Sequence, residues 1–190
     1  MFENIRADMV EALRSRNIHY LNEALYFLLM ESHGPQAVVI YRFGRWLANK
    51  RRYSFSWFIT SPLYPSYWLL SMCIRKAYGI DLDQSADIAP GFCITHFGGI
   101  EVRNCRVGRD CNIHQQVKLG LKNTEDNCQA KIGDSVYIGA HARINANISI
   151  GNGVTIGAGA FVTEDIPDHS LVLGNPARIA KRGYDNSALL

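Results

Sequence analysis

The sequence predicts a parallel β-helix preceded by an α-helical region, and three observations predict it. From Ile88 to Val162 an aliphatic residue returns at almost every sixth position, through Ile94, Ile100, Val107, Ile113, Leu119, Ile132, Ile138, Ile144, Ile150 and Ile156. Six is neither the 3.6 of a helix nor the two of a flat strand; it is the period of a hexapeptide coil. Small residues follow the aliphatic ones, as in Ile132-Gly133, Ile138-Gly139, Ile150-Gly151 and Ile156-Gly157, where the chain must turn tightly. Before Gly79 the spacing is instead helical.

Residues 2–30 place Ile5, Met9, Ala12 and Leu13 on one side and Arg6, Glu11 and Arg14 elsewhere, an amphipathic pattern. After Gly34-Pro35, the stretch Gln36 to Lys50 sets Val38, Val39, Tyr41, Phe43, Trp46 and Leu47 among Arg42, Arg45 and Lys50, which predicts a second helix. A third follows Pro65 and runs to Tyr78. The chain therefore divides into a helical region (1–78), a β-helix (79–165) and a C-terminal cap or tail (166–190). Three aliphatic positions close one coil, so the twelve positions give about four coils, each stacked on the next because a single coil cannot bury its own column. The period slips by one residue between Ile100 and Val107. It breaks again between Leu119 and Ile132, where the polar segment 121–131 is expected to leave the coil as an extruded loop. From Ile166 onward the period is lost, and the tail is expected to cap the last coil against edge pairing.

With 190 residues, 47% of them hydrophobic and 19% charged, the chain has the apolar content for a packed core and is not of a disordered class. A net charge of +3 falls short of a nucleic-acid footprint, and no nucleic-acid partner is expected. Five cysteines, odd in number and without CxxC spacing, predict neither a disulfide framework nor a metal site. The charged N-terminus, Met1 to Asp8, stands where a signal peptide needs an apolar run, so a cytoplasmic protein is expected. Residues 53–74 carry no charge and include Trp57, Phe58, Trp68, Leu69 and Leu70, but Pro62 and Pro65 argue against a spanning helix. Packing against the β-helix or another subunit is the first expectation for this stretch. Peripheral contact through residues 50–74, at the inner face of a membrane and aided by Lys50-Arg51-Arg52, is the second.

The segments Tyr78-Gly-Ile-Asp-Leu-Asp83, Ile94-Thr-His-Phe-Gly-Gly-Ile100 and Val172-Leu-Gly-Asn-Pro-Ala-Arg178 carry a family likeness. Over residues 34–182 the chain resembles the serine acetyltransferase group of hexapeptide acyltransferases, which includes relatives that acetylate sugars in polysaccharide synthesis. The resemblance implies a left-handed coil and a homotrimer with active sites between adjacent subunits; whether the helical regions join two trimers into a dimer of trimers stays open. It implies acetyl-CoA as co-substrate, with no permanently bound cofactor. It also implies that His96 takes the proton of the acceptor hydroxyl and that Asp81, fifteen residues earlier, orients the imidazole. A histidine titrating near neutrality suits a base, and a carboxylate on its far nitrogen fixes the tautomer. Both substrates then meet directly, without an acyl-enzyme. His114 is the rival base and otherwise an acceptor-binding residue; it sits about one coil from His96, and the two rings need not face the same way. For CoA the resemblance implies a pantetheine path along Gly139-Ala140 and Gly157-Ala158, with Arg178, Lys181 and Arg182 toward the phosphates.

The serine enzymes carry an Asp-His pair at this motif and an Arg-His pair after the extruded loop. Here Thr95 and Cys128-Gln129 stand at those places, which removes the charge-assisted grip on an amino acid. Thr95, Gln129 and Asn123 are neutral hydrogen-bonding groups, so the expected acceptor is a sugar or a polysaccharide precursor such as a capsule component. Serine O-acetylation is the alternative, and a non-catalytic trimeric scaffold the alternative from another class.

Overall fold

The structure, a computed structural model, describes residues 1–14, 33–51, 62–121 and 129–190. Among the described residues three helices come first: α1 (Phe2–Arg14), α2 (His33–Arg51) and α3 (Leu63–Tyr78). Gly79, at φ 63°, ends α3 by donating its N–H to the Arg75 carbonyl at 3.1 Å, a left-handed cap that glycine adopts without penalty.

From Ile80 the chain winds as a left-handed parallel β-helix of three faces. The first face stacks β1 (Ile80–Leu82), β4 (Ile100–Val102), β7 (Lys118–Leu121), β10 (Arg143–Asn145) and β13 (Phe161–Val162). The second stacks β2 (Asp87–Ile88), β5 (Cys105–Val107), β8 (Ala130–Ile132) and β11 (Ser149–Ile150). The third stacks β3 (Cys93–Ile94), β6 (Asn112–Ile113), β9 (Tyr137–Ile138), β12 (Thr155–Ile156) and β14 (Ser170–Leu173), and β15 (Arg178–Arg182) closes it by pairing antiparallel with β14. The inward aliphatic columns form the core, with Ile113, Ile138, Ile144 and Ile156 fully buried.

The register corrects two readings of the period. On the first face Val102, not Ile100, aligns with Leu119 and through it with Ile144 and Val162, while Ile100 pairs with Ile80. The irregularity is thus two residues added to the corner holding His96 and one removed after Val102. The columns also continue past Val162: Ile166 bridges to Ile150, and Val172 pairs with Ile156, so the coil ends on β14 and the cap proper is β15. As for the extruded segment, Leu121 ends β7 and Ala130-Lys131 already belong to β8; residues 122–128, with Asn123, Asn127 and Cys128, lie outside the described part.

A buried ion pair fastens the helices to the first coil. Asp8 of α1 receives the Arg42 Nε at 2.9 Å and Nη2 at 3.2 Å, together with the backbone N–H groups of Gly91 at 2.9 Å and Phe92 at 3.1 Å. Arg42 of α2 uses its other N–H groups on the carbonyls of Ile88 and, at 2.7 Å, Ala89. Beside it the Tyr41 hydroxyl donates to the Ala86 carbonyl at 2.7 Å. Gly34 completes the fit, since a Cβ there would lie 2.5 Å from the Ile94 carbonyl oxygen.

Burial pushes the thiols of Cys105 and Cys111 up to about 12, so both stay protonated and unreactive at neutral pH. Cys73 is exposed on α3. Brief iodoacetamide treatment of the native protein, read by peptide mass spectrometry, is expected to label Cys73 and to spare Cys105 and Cys111 until the chain is unfolded.

Candidate active site

One corner of the coil, between the third and first faces, carries most of the sequence-predicted residues. Successive coils bring there Thr95 to Gly99, then His114 to Gln116, then Gly139 to His141, then Gly157 to Gly159. Backbone bonds lock the stack: Gln116 N–H to the Gly98 carbonyl at 2.7 Å, His141 to Gln115 at 2.9 Å, and Gly159 to Ala140 at 2.7 Å. Each coil turns through a left-handed residue, Gly99 at φ 64°, Gln116 at 61°, His141 at 62° and Gly159 at 69°. At Gly99 the need is double, because a Cβ would also come within 2.4 Å of the Gln116 side-chain oxygen.

His96 lies exposed at this corner, and His114 stacks on it from the next coil, with centroids 5.2 Å apart and planes 28° from parallel. The rings therefore do share a direction, which the offset from their rungs left open. Tyr137 extends the stack: its ring centroid is 5.1 Å from that of His114, and its hydroxyl lies 2.8 Å from His114 Nε2. Burial, and after it the charge of His96, lowers the His114 pKa, and burial raises that of Tyr137. A neutral imidazole beside a protonated phenol is satisfied when the O–H donates to Nε2 and Nδ1 carries the proton. The sequence reading missed Tyr137. Its signal was position, the residue just before the rung Ile138, aligned with Asn112 on the strand that leads into His114.

The lowered His114 pKa has a sign that can be measured. Folding favours the neutral ring, so the unfolded chain binds the extra proton more readily and stability falls as pH drops below the ordinary value of 6.5. His114→Gln is expected to flatten the stability profile between pH 5 and 7, roughly the histidine range, in urea melts.

The Asp81–His96 pairing implied by the resemblance is not formed in the described chain. Asp81 is buried on the first face, where Arg75 of α3 meets one carboxylate oxygen at 3.1 Å and Arg103 takes the other. With both oxygens held by guanidinium groups, the carboxylate ties the helical region to the coil. Asp83 instead accepts the Ser85 N–H at 2.7 Å in a local turn. The Thr95 hydroxyl donates to Asn112 Oδ1 at 2.6 Å. Gln129 is exposed where the chain enters β8, at the corner between the first and second faces, so one chain does not bring it to His96.

The predicted CoA residues divide. A Cβ at Gly139 would meet the Ala158 nitrogen at 2.7 Å, so this glycine serves coil stacking, whereas at Gly157 it would meet a methyl of the exposed Leu173 side chain at 2.3 Å. The open surface lies one step on, where His141, Arg143, Gly159, Phe161 and Asn175 line a cleft of about 480 Å3. A Cβ at Gly159 would meet nothing. Arg143 and Phe161 are residues next to the rungs Ile144 and Val162, where alternation marks them as outward but not as lining a cleft. Arg178, Lys181 and Arg182 are exposed on β15; Arg178 lies 3.5 Å from Glu164, and Lys181 stands over the Tyr184 ring at 5.8 Å. Among the described residues no group of three or more His, Cys, Asp or Glu is placed to hold a metal ion.

A helical region on a left-handed hexapeptide coil, with paired histidines at one corner, defines a class of protein that the comparisons resolve further. Residues 129–164 match the bacterial transferase hexapeptide (six repeats) family. That match spans the coils from β8 to β13. It is 32% identical over 185 residues to the serine acetyltransferase of Salmonella typhimurium (strain LT2), a match that takes in 95% of this chain and 62% of that protein. The crystal structure of serine acetyltransferase from Vibrio cholerae superposes with a TM-score of 0.76 at 28% identity, over 95% of this chain and 66% of that one. A serine acetyltransferase in complex with CoA superposes with a TM-score of 0.74 at 27% identity, over 94% and 68%. The chain thus spans less than two thirds of the length of the curated relatives it matches.

Proposed function

We propose that the protein transfers acetyl from acetyl-CoA to an acceptor hydroxyl, with His96 as general base. The observation that carries this reading is the stack of His96, His114 and Tyr137 at the corner that continues into the Arg143–Phe161 cleft. His96 takes the hydroxyl proton as the oxygen attacks the thioester carbonyl, and the thiolate of CoA leaves with a proton. The neutral His114 ring faces the imidazolium so formed without like-charge repulsion, and Tyr137 fixes that ring. The relative solved with CoA supports the same donor here, with Arg143 and Phe161 meeting its polar and planar parts.

For the acceptor, the relatives named serine acetyltransferases favour L-serine over the sugar expected from the sequence. The sugar reading keeps one specific support. Next to His96 stands Thr95, already bonded to Asn112, rather than a carboxylate for an ammonium group. A homotrimer belongs to this proposal too, since it would bring the loop corner of a second copy, with Gln129, toward His96.

CoA release from acetyl-CoA by the purified protein tests the reading, with L-serine and a panel of sugars and nucleotide sugars as acceptors. Turnover on serine establishes the amino-acid acceptor and turnover on a saccharide the other. No acetyl transfer to either overturns both and leaves the scaffold.

A further inference from the structure

The helical region carries a feature that acetyl transfer does not use. Residues 33–78 contain seven Lys and Arg and no Asp or Glu, so against a chain total of +3 the remainder carries −4. The same stretch holds all three tryptophans. Within it α3 is apolar and mostly bare: Trp68 is 60% exposed, Leu69 53% and Leu70 46%, with Leu63 and Tyr64 at 37%, and only Ile74 is buried. A helix so apolar is ordinarily covered.

We propose that α3 docks the protein on an anionic lipid bilayer. Charge complementarity selects that occupant over a second copy of the chain: Arg42, Arg45 and Arg75 are paired with Asp8, Asp87 and Asp81, while the exposed Lys50 and Lys76 flank the apolar face with positive charge that the same face of a second copy would not neutralise. Lys76 lies seven residues after Leu69, on the same stripe of the helix, and is exposed; Lys50, near the end of α2, is exposed as well. Trp68 and the leucines enter the boundary between headgroups and acyl chains while the lysines meet lipid phosphates, the arrangement of an interfacial helix. Among the described residues no helix is long and apolar enough to cross a membrane, which is consistent with a surface contact. An apolar groove of about 470 Å3 between the helices, walled by Met9, Val39, Leu70 and Cys73, continues the surface inward. The far end of that groove is Tyr78, whose ring stacks on His33 at 4.0 Å, and His33 packs against Phe97 beside His96.

The docking does not rest on the acetyl-transfer reading, and its test needs no acceptor. The purified full chain is sedimented with vesicles of phosphatidylcholine alone and of phosphatidylcholine with about 30% phosphatidylglycerol, at low and at roughly 0.5 M salt. Binding to the anionic vesicles is expected, weakened by salt, and reduced at least roughly tenfold in the W68S/L69S double variant and about tenfold in K50E/K76E. These side chains are exposed, so both variants should fold, which circular dichroism checks. Absence of the protein from the anionic pellet overturns the proposal, as does undiminished binding by W68S/L69S. A fall in solution mass of W68S/L69S without vesicle binding by the parent chain overturns it in favour of a second copy.

Discussion

His96→Ala is expected to cut acetyl transfer by roughly 100- to 10,000-fold, the contribution of a positioned base, while acetyl-CoA still binds. The side chain is exposed at a corner whose backbone is held by the coil above, through Gln116 N–H to the Gly98 carbonyl, so its removal should leave no cavity and an unaltered melting temperature. Isothermal titration with CoA separates lost chemistry from lost donor binding. The His114 series is the sharper comparison. If His114 only supports the imidazolium, His114→Gln lowers kcat by roughly tenfold and leaves the acidic limb of the pH profile governed by His96. Tyr137→Phe removes the hydroxyl alone and should produce a smaller loss in the same direction. Should His114→Ala prove the inactive variant and His96→Ala the active one, the base is the inner ring.

Much of this arrangement was legible because a hexapeptide coil writes itself into sequence. Each rung must be aliphatic to fill a column, so Ile113, Ile138 and Ile156 announce one face without any knowledge of the others. The His96 corner was legible as a motif but not as geometry. Ile100 looked like a rung because the eye counts six, whereas the pairing of Val102 with Leu119 shows that the corner was lengthened by two residues. That lengthening sets where His96 projects, and periodicity cannot reveal it. Tyr137, Arg143 and Phe161 went unread for another reason: outward positions carry no packing constraint, so nothing in the chain distinguishes one that lines a cleft from one that meets water. Asp81 was legible as a position but not as a set of partners. Its spacing from His96 matched the family motif, but two arginines, one on α3 and one after β4, compete for the same carboxylate. Spacing along a chain says nothing of such competitors.

Asp8→Ala should be among the most damaging single changes to stability, although Asp8 stands in the first helix and far in sequence from the coil. Both partners are buried, with side-chain exposures of 6% for Arg42 and 4% for Asp8. Truncating the carboxylate strands a guanidinium away from water and leaves the Gly91 and Phe92 N–H groups without their acceptor. Removal of one member of a buried pair costs about 3–5 kcal/mol, most of it the penalty of the uncompensated charge. For a chain of this size that corresponds to a fall of roughly 10 °C in apparent melting temperature. Asp8→Asn keeps an acceptor for the backbone and should cost less. The decisive comparison is the double variant Asp8→Ala with Arg42→Met, which removes the charge together with its partner. If desolvation of the lone arginine is the dominant cost, the double variant melts above Asp8→Ala; if the lost backbone bonds dominate, it melts no higher. The first result makes the ion pair a device that fixes how the helices seat on the first coil. The second makes Asp8 chiefly a clamp on the Gly91-Phe92 turn that leads into β3 and on to His96.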